Sequence, residues 1–132
     1  MYSPPMPAKV MLIDDDHNIL HLLVDALAKY PYEVATYWDA REAASALASR
    51  RGGLPAVIVT DVMMPGVDGY SFVNGLLEAD ETRAIPVIVI TAKKNMIDVF
   101  RALPNVFVFL EKPFTITAFV DAVQRGLAKA GA

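Results

Sequence analysis

The chain has 132 residues, of which 55% are hydrophobic and 20% are charged, and it contains no cysteine. This length is enough for one domain with a full core, and the absence of cysteine excludes disulfides, thiolate metal sites and a cysteine nucleophile. Twelve basic residues against 15 acidic ones give a net charge of −3, and the basic residues are scattered, so direct nucleic-acid binding is not expected. No apolar run has signal-peptide or membrane-spanning length, so we expect a soluble, cytoplasmic protein without membrane insertion.

Short apolar runs alternate with amphipathic stretches along the chain. The first seven residues contain three prolines and are predicted to form a disordered or extended lead, followed by one domain over residues 8–130. The runs are Val10–Ile13, Tyr32–Thr36, Val57–Val59, Val87–Ile90 and Val106–Leu110. Continuous apolarity predicts parallel strands buried on both faces, whereas the polar residues of the second run predict a strand at the sheet edge.

The stretches between these runs carry apolar residues at helical spacing. They lie near residues 19–27, 40–49, 73–77, 94–102 and 119–127. Gly52–Gly53 is predicted to stop the alanine-rich second helix. The segment 94–102 has the weakest helical pattern because it is short and Pro104 follows it. Strands that alternate with helices predict an α/β protein built on a parallel sheet.

Polar side chains stand where the predicted strands end. These residues are Asp14, Asp15 and Asp16 after the first strand, Thr60 and Asp61 at the third, Thr91 at the fourth, and Glu111 and Lys112 at the fifth. In an open parallel sheet all these positions lie on one edge, where ligands bind at the point at which the strand order reverses. The sequence therefore predicts a site with several carboxylates, a hydroxyl and a lysine.

The chemistry of such a cluster narrows its use. Two carboxylates ~4 Å apart repel by about 4 kcal/mol at an effective dielectric near 20, so the site requires a cation or protons. Carboxylate oxygens favour Mg²⁺, or Mn²⁺, over zinc. A lysine and a hydroxyl can stabilise a phosphoryl group in transfer, and an aspartate can itself be the nucleophile that forms an acyl phosphate.

Plainer interpretations exist for each of these residues. The acidic cluster can be a solvated helix cap, the threonine an N-cap, and the lysine an ordinary surface residue. Asp16 in particular is predicted to cap the helix that follows it. His17 and His21 have a spacing that can bind zinc, but they lack the glutamate of a metalloprotease motif, so we interpret them as surface or partly buried side chains.

Four segments together resemble the receiver domains of two-component response regulators, over essentially residues 8–130. They are Val10–Asp16, Thr60–Gly69, Val89–Ala92 and Glu111–Phe114. Each segment alone is weak evidence, but four in this order on strand ends are specific. The resemblance implies a flavodoxin-like fold, in which a doubly wound five-stranded parallel sheet of order 2-1-3-4-5 is flanked by five helices.

The resemblance also implies a phosphorylation site. Asp61 would accept a phosphoryl group from the phosphohistidine of a histidine kinase or histidine phosphotransfer protein. Mg²⁺ would be bound by Asp14, Asp15, Asp61 and the backbone carbonyl of Met63. Lys112 would pair with a phosphoryl oxygen.

A switch is implied by the same resemblance. Thr91 would bring its hydroxyl onto the phosphorylated aspartate, and Phe109 would change its packing, which would alter the face formed by the fourth helix, fifth strand and fifth helix. The Lys112-Pro113 peptide bond would be cis. Such a protein is not an enzyme in the usual sense, because it catalyses only its own phosphorylation and dephosphorylation, and its downstream partner is a protein that the sequence does not identify.

Two alternatives remain open at this stage. The first is a docking receiver that is never phosphorylated in the cell. The second is a phosphohydrolase with an aspartate nucleophile, because Asp14–Asp16 loosely resembles the motif of haloacid-dehalogenase-like enzymes. Asn18 fits that motif poorly, and the segment around Asp61 would be unexplained. The sequence is compatible both with a stand-alone regulator and with a fragment of a longer regulator or hybrid kinase.

Overall fold

The computed structural model describes residues 7–50, 52–62, 69–92 and 95–131. Within these ranges five strands alternate with five α-helices. The elements are β1 (Ala8–Ile13), α1 (His17–Leu27), β2 (Tyr32–Tyr37), α2 (Ala40–Ala48), β3 (Val57–Asp61), α3 (Gly69–Gly75) with a short 3-10 helix (Leu76–Glu78), β4 (Val87–Thr91), α4 (Asn95–Arg101), β5 (Val106–Glu111) and α5 (Ile116–Lys129). The predicted N-terminal lead, apart from Pro7, lies outside the described residues.

The five strands form one parallel sheet in the order β2-β1-β3-β4-β5. The predicted α/β fold and strand order are confirmed, and β2 lies at an edge as its polar residues indicated. Strands β3 and β4 are buried along their whole length because helices cover both faces of the sheet. The chain leaves β1 towards β2 on one side and returns to β3 on the other, so the strand order reverses between β1 and β3.

Helices cover the two faces of the sheet unequally. Helices α1 and α5 pack on one face through residues such as Leu23 and Phe119. Helices α2, α3 and α4 pack on the other through residues such as Leu47, Phe72 and Phe100. None of the helices in the described ranges has both the length and the apolar character needed to cross a bilayer.

The first two helices begin at aspartate caps. The Asp16 carboxylate accepts hydrogen bonds from the backbone N–H groups of Asn18 at 2.9 Å and Ile19 at 3.3 Å, as the sequence predicted. Helix α2 ends at Ala48 with Ser49 as its C-cap, within one residue of the predicted stretch 40–49, and the glycine pair follows with positive φ angles. Arg50 has a φ of 55°, so a non-glycine residue takes the left-handed conformation that reverses the chain there.

Helix α3 changes to a 3-10 helix part-way along its predicted apolar stripe. Asn105 donates from Nδ2 to the carbonyl of Val73 at 3.1 Å, and the Thr82 hydroxyl donates to the carbonyl of Leu76 at 2.6 Å. Side chains from later in the chain therefore hydrogen-bond the carbonyls at the end of α3. The helical pattern near residues 73–77 did not reveal this change, because its donors lie far along the sequence.

Two helical glycines are expected to respond oppositely to alanine. At Gly75 the backbone φ is −62° and an added Cβ would meet nothing within 4 Å, so Gly75→Ala is expected to stabilise the fold by roughly 0.5–1 kcal/mol. At Gly126 an added Cβ would lie 2.8 Å from Cγ2 of the buried Val57, so Gly126→Ala is expected to destabilise by about 1–3 kcal/mol. Urea unfolding would measure both; a loss at Gly75 equal to that at Gly126 would contradict the packing described here.

Candidate functional site

Three charged side chains come together at the carboxyl edge of the sheet. Asp14 follows β1, Asp61 is the last residue of β3, and Lys112 follows β5. Backbone hydrogen bonds fix the loops that carry them: the N–H of Asp14 donates to Tyr37 at 3.1 Å, and that of Lys112 to Thr91 at 2.9 Å. The ends of neighbouring strands thus position residues that are nearly 100 positions apart in sequence.

Lys112 pairs with both aspartates. Its Nζ lies 2.6 Å from Oδ2 of Asp61 and 3.8 Å from Oδ2 of Asp14. Both carboxylates are almost completely inaccessible, with 1% exposure for Asp14 and 3% for Asp61. Burial alone would lower the pKa of Lys112, but the hydrogen bond to Asp61 and the charges of both aspartates outweigh it and raise the pKa. The ammonium therefore stays charged and offsets part of the negative charge in the site.

The surroundings of Asp14 disfavour the charged form of its carboxyl. Burial, and to a smaller extent the charges of Asp61 and Asp15, raise its pKa from 3.8 to about 7, against the opposing effects of the Asp16 N–H and Lys112. Its Oδ1 accepts the Asp16 N–H at 2.9 Å, whereas its buried Oδ2 has no hydrogen-bond partner among the described residues. A buried oxygen without a donor is the kind of atom that a cation would satisfy.

The acidic residues fit a hard divalent cation. Carboxylate oxygens of Asp14, Asp15 and Asp61 lie within 4.8 Å of one another, close enough to share one ion. Asp15 is exposed while the other two are buried, so the cluster opens to solvent on one side. Oxygen ligands with an open side suit Mg²⁺, which keeps several waters when it is bound by a few carboxylates. We name Asp14, Asp15 and Asp61 the acidic pocket.

The sequence model of the family described as "Response regulator receiver domain" matches residues 10–124. The chain belongs to this family. Receiver domains are generally signalling modules that bind Mg²⁺ through an acidic pocket, and the cluster at this sheet edge corresponds to such a pocket. The resemblance carried by the four sequence segments is thereby confirmed at the level of the family.

Relatives of this receiver domain include longer regulators. The chain is 37% identical over 120 residues to the C4-dicarboxylate transport transcriptional regulatory protein DctD of Pseudomonas aeruginosa, covering 90% of this chain and 25% of the relative. It is 38% identical over 109 residues to the response regulator PleD of Caulobacter vibrioides, covering 82% and 23%. The chain thus spans about a quarter of the length of these curated relatives.

Solved structures of single receivers superpose over nearly their whole length. The chemotaxis response regulator CheY4 of Vibrio cholerae matches with a TM-score of 0.79 and 30% identity, covering 91% of this chain and 98% of that one. A putative response regulator from Chloroflexus aurantiacus matches with a TM-score of 0.79 and 29% identity, covering 92% and 98%. The described fold of the receiver domain is therefore that of its family.

The two residues predicted to form a switch lie on β4 and β5. Thr91, the last residue of β4, is completely buried and pairs in register with Glu111. Phe109 is half-buried on β5, packs against the α2-α3-α4 side of the core, and has the Arg101 guanidinium 6.0 Å from its ring centre. Because Phe109 lies on β5 and its ring faces Arg101 of α4, its packing is sensitive to a shift of either element.

Three further predictions concern the Met63 carbonyl, the Lys112-Pro113 peptide bond and His17. Met63, the predicted carbonyl ligand, lies outside the described residues. The Lys112-Pro113 peptide bond is cis. His17 is exposed, and its ring stacks on that of Trp38 at a centroid distance of 4.2 Å. Neither this stack nor the cation over Phe109 could be predicted, because neither pair is close in sequence or carries a motif.

Proposed function

We propose that this receiver domain accepts a phosphoryl group on Asp61 from a phosphohistidine of a sensor kinase or histidine phosphotransfer protein, in a Mg²⁺-dependent reaction in the cytoplasm. The observation that carries the proposal is the buried carboxylate of Asp61, which is paired with Lys112 at 2.6 Å and clustered with Asp14 and Asp15. Membership of the receiver family supports the same assignment.

Asp61 is the nucleophile in this proposal. A carboxylate oxygen bonds to phosphorus as the bond between phosphorus and the donor's imidazole nitrogen breaks. The electron pair stays on that nitrogen, which takes up a proton, and the product is an acyl phosphate. Because the phosphoryl group stays on its own aspartate, the domain is a reactant in the transfer and not a turnover enzyme.

Lys112 supplies the positive charge that the product needs. The phosphoryl group adds roughly −1.5 to −2 charges to a site that already holds three carboxylates. The Nζ of Lys112 is within hydrogen-bonding distance of the Asp61 carboxylate, so it can move to a phosphoryl oxygen on that residue with little displacement. Because the ammonium is already in position, little rearrangement of the site is needed when the phosphoryl group is transferred.

Asp14 and Asp15 would hold the divalent cation together with Asp61. Bound there, Mg²⁺ would neutralise charge on the phosphoryl oxygens and on the carboxylates. The Oδ2 of Asp14, which has no hydrogen bond among the described residues, would gain a close partner in that arrangement, and the ionised form of its carboxylate would be favoured. Phosphorylation would be sensed by Thr91 and Phe109. The phosphoryl oxygens beside Asp61 would offer the buried Thr91 hydroxyl an acceptor near the end of β4, and Phe109 would change its packing.

Incubation with Mg²⁺ and phosphoramidate, followed by intact-mass analysis, tests the proposal without knowledge of the kinase. We expect one phosphoryl group per chain with Mg²⁺ and none with excess EDTA. The docking-only alternative predicts no adduct in either sample, and the phosphohydrolase alternative predicts steady release of phosphate from small phosphate esters.

Lys112→Gln is expected to slow phosphorylation without weakening the binding of Mg²⁺. Loss of the ammonium should slow adduct formation by about 10²-fold or more, because one preorganised positive donor is removed. Mg²⁺ affinity, measured by calorimetric titration, should be unchanged or higher because a competing cation is gone. Lys29→Gln, at an exposed lysine just beyond the C-terminal end of α1, is the matched control and should alter neither quantity. Equal rates in both variants would exclude the role of Lys112.

A further inference from the structure

A groove lies between α2 and α3, away from the acidic pocket. Its volume is about 420 Å³, within the range of roughly 300–1,000 Å³ typical of small-molecule sites. Its floor is formed by the buried side chains of Leu47, Phe72 and Leu76. None of the residues that line it belongs to the phosphorylation site, so the groove is a separate feature of the surface.

Small residues keep the groove open. Ala44 and Ala48 of α2 and Gly75 of α3 line it and are exposed. Neither backbone conformation nor close packing requires a glycine at position 75, because its φ is −62° and an added Cβ would meet nothing within 4 Å. A glycine in a helix lowers stability by roughly 0.5–1 kcal/mol relative to alanine. The missing side chain therefore has a cost in stability and leaves open space at a position that lines the groove.

The charges around the groove favour an anion. Arg41 lines it and has no hydrogen-bond or ion-pair partner within the part of the chain that the structure describes. Glu81, the lining carboxylate, is already paired with Arg50 at 3.0 Å. Among the described residues, Arg41 is thus an unpaired cation beside an apolar floor, which suits a ligand with an apolar body and a negative head.

The surroundings favour a small ligand over a protein. The large hydrophobic side chains that are exposed among the described residues are Leu22, Trp38, Val99 and Ile116, and none of them lines the groove. A protein interface requires about 800 Å² on each partner, with an apolar core wider than a single groove. The apolar area here is confined to the groove itself.

We propose that the groove between α2 and α3 binds a small amphipathic carboxylate, with its aliphatic body over Leu47, Phe72 and Leu76 and its carboxylate on Arg41. The proposal is independent of the phosphoryl chemistry, because it uses none of the residues of the acidic pocket. Its test can therefore be made without Mg²⁺ or a phosphodonor.

The test is a titration of the isotope-labelled 132-residue protein with dodecanoate below its micelle concentration, followed by amide chemical shifts. We expect saturable shifts confined to α2, α3 and the turn near Glu81. Dodecyltrimethylammonium, which has the same chain and the opposite charge, should bind at least about tenfold more weakly. Arg41→Gln should weaken dodecanoate by about tenfold, the typical effect of losing one charged hydrogen bond.

Gly75→Leu fills the groove and should abolish saturable binding. Asn74→Leu is the matched control, because it adds the same side chain at the preceding, exposed position of α3, which does not line the groove. Ala44→Leu fills the opposite wall and replaces Gly75→Leu if that variant fails to fold by circular dichroism.

Three results would overturn the proposal. The first is dodecanoate binding that is equally strong in the wild type and in the folded, filled-groove variant. The second is equal affinity for the cationic and anionic chains. The third is an absence of saturable binding, including the case in which the wild type self-associates and Gly75→Leu prevents it, which would assign the groove to a second copy of the chain.

Discussion

Asp61→Asn is expected to eliminate the phosphoryl adduct while leaving the fold intact. An amide is not a nucleophile towards phosphorus under these conditions, but it has the size of the carboxylate and its oxygen can still accept from Lys112. Intact-mass analysis over time should give a rate at least about 10³-fold below that of the wild type. Circular dichroism and the unfolding midpoint would establish that the variant is folded.

Asp16→Asn is the matched control for this loss. Asp16 is exposed and caps α1, and asparagine caps helices as well as aspartate does. The variant removes one carboxylate close to the acidic pocket without touching the proposed nucleophile. It should form the adduct at nearly the wild-type rate. A comparable loss in both variants would mean that negative charge near the site, and not Asp61 itself, determines the reaction.

Asp14 should make the metal-free protein less stable as the pH rises. The pKa of its carboxyl is about 7 in the folded chain and 3.8 as an ordinary value, so between these pH values the folded state keeps a proton that the unfolded state has released. The free energy of unfolding therefore falls from about pH 4 to about pH 7 and is level above that range. The full shift corresponds to about 4 kcal/mol, and because buried sites respond with an effective dielectric well above that of dry protein, we expect about 2 kcal/mol.

Asp14→Asn should remove this dependence. In EDTA at pH 8 we expect the variant to be more stable than the wild type by about 2 kcal/mol, and near pH 4 we expect the difference to be small. Urea unfolding at both pH values measures it. Asp15→Asn, which changes an exposed carboxylate of the same pocket, is the control and should have a much smaller effect. Equal stabilities of wild type and Asp14→Asn at pH 8 would contradict the burial of this carboxylate.

The sequence predicted the sheet well because the signal for a buried parallel strand is local. Runs such as Val57–Val59 and Val87–Ile90 are apolar throughout, and both lie within strands that are buried along their length. The convergence of Asp14, Asp61 and Lys112 followed from a general property of parallel sheets, that strand ends meet at one edge. The family followed from segments that surround these same residues.

Features that depend on contacts between distant residues were not predictable. The sequence placed Asp14 and Asp15 side by side, but one is buried and the other exposed, because the turn after β1 directs them differently. The change of α3 to a 3-10 helix involves Asn105, which is 32 positions from Val73 and carries no local signal of this role. That Gly75 lines a groove is likewise visible only in the structure, because α2 forms the other wall of that groove.

Direct location of the phosphoryl group tests the central claim most directly. After incubation with Mg²⁺ and phosphoramidate, borohydride reduces an aspartyl phosphate to homoserine, and peptide mass spectrometry then identifies the residue. We predict homoserine at position 61 alone, and none when EDTA replaces Mg²⁺. Homoserine at Asp14 or Asp15, or a phosphoryl adduct that yields no homoserine, would contradict the assignment of Asp61 as the phosphoryl acceptor.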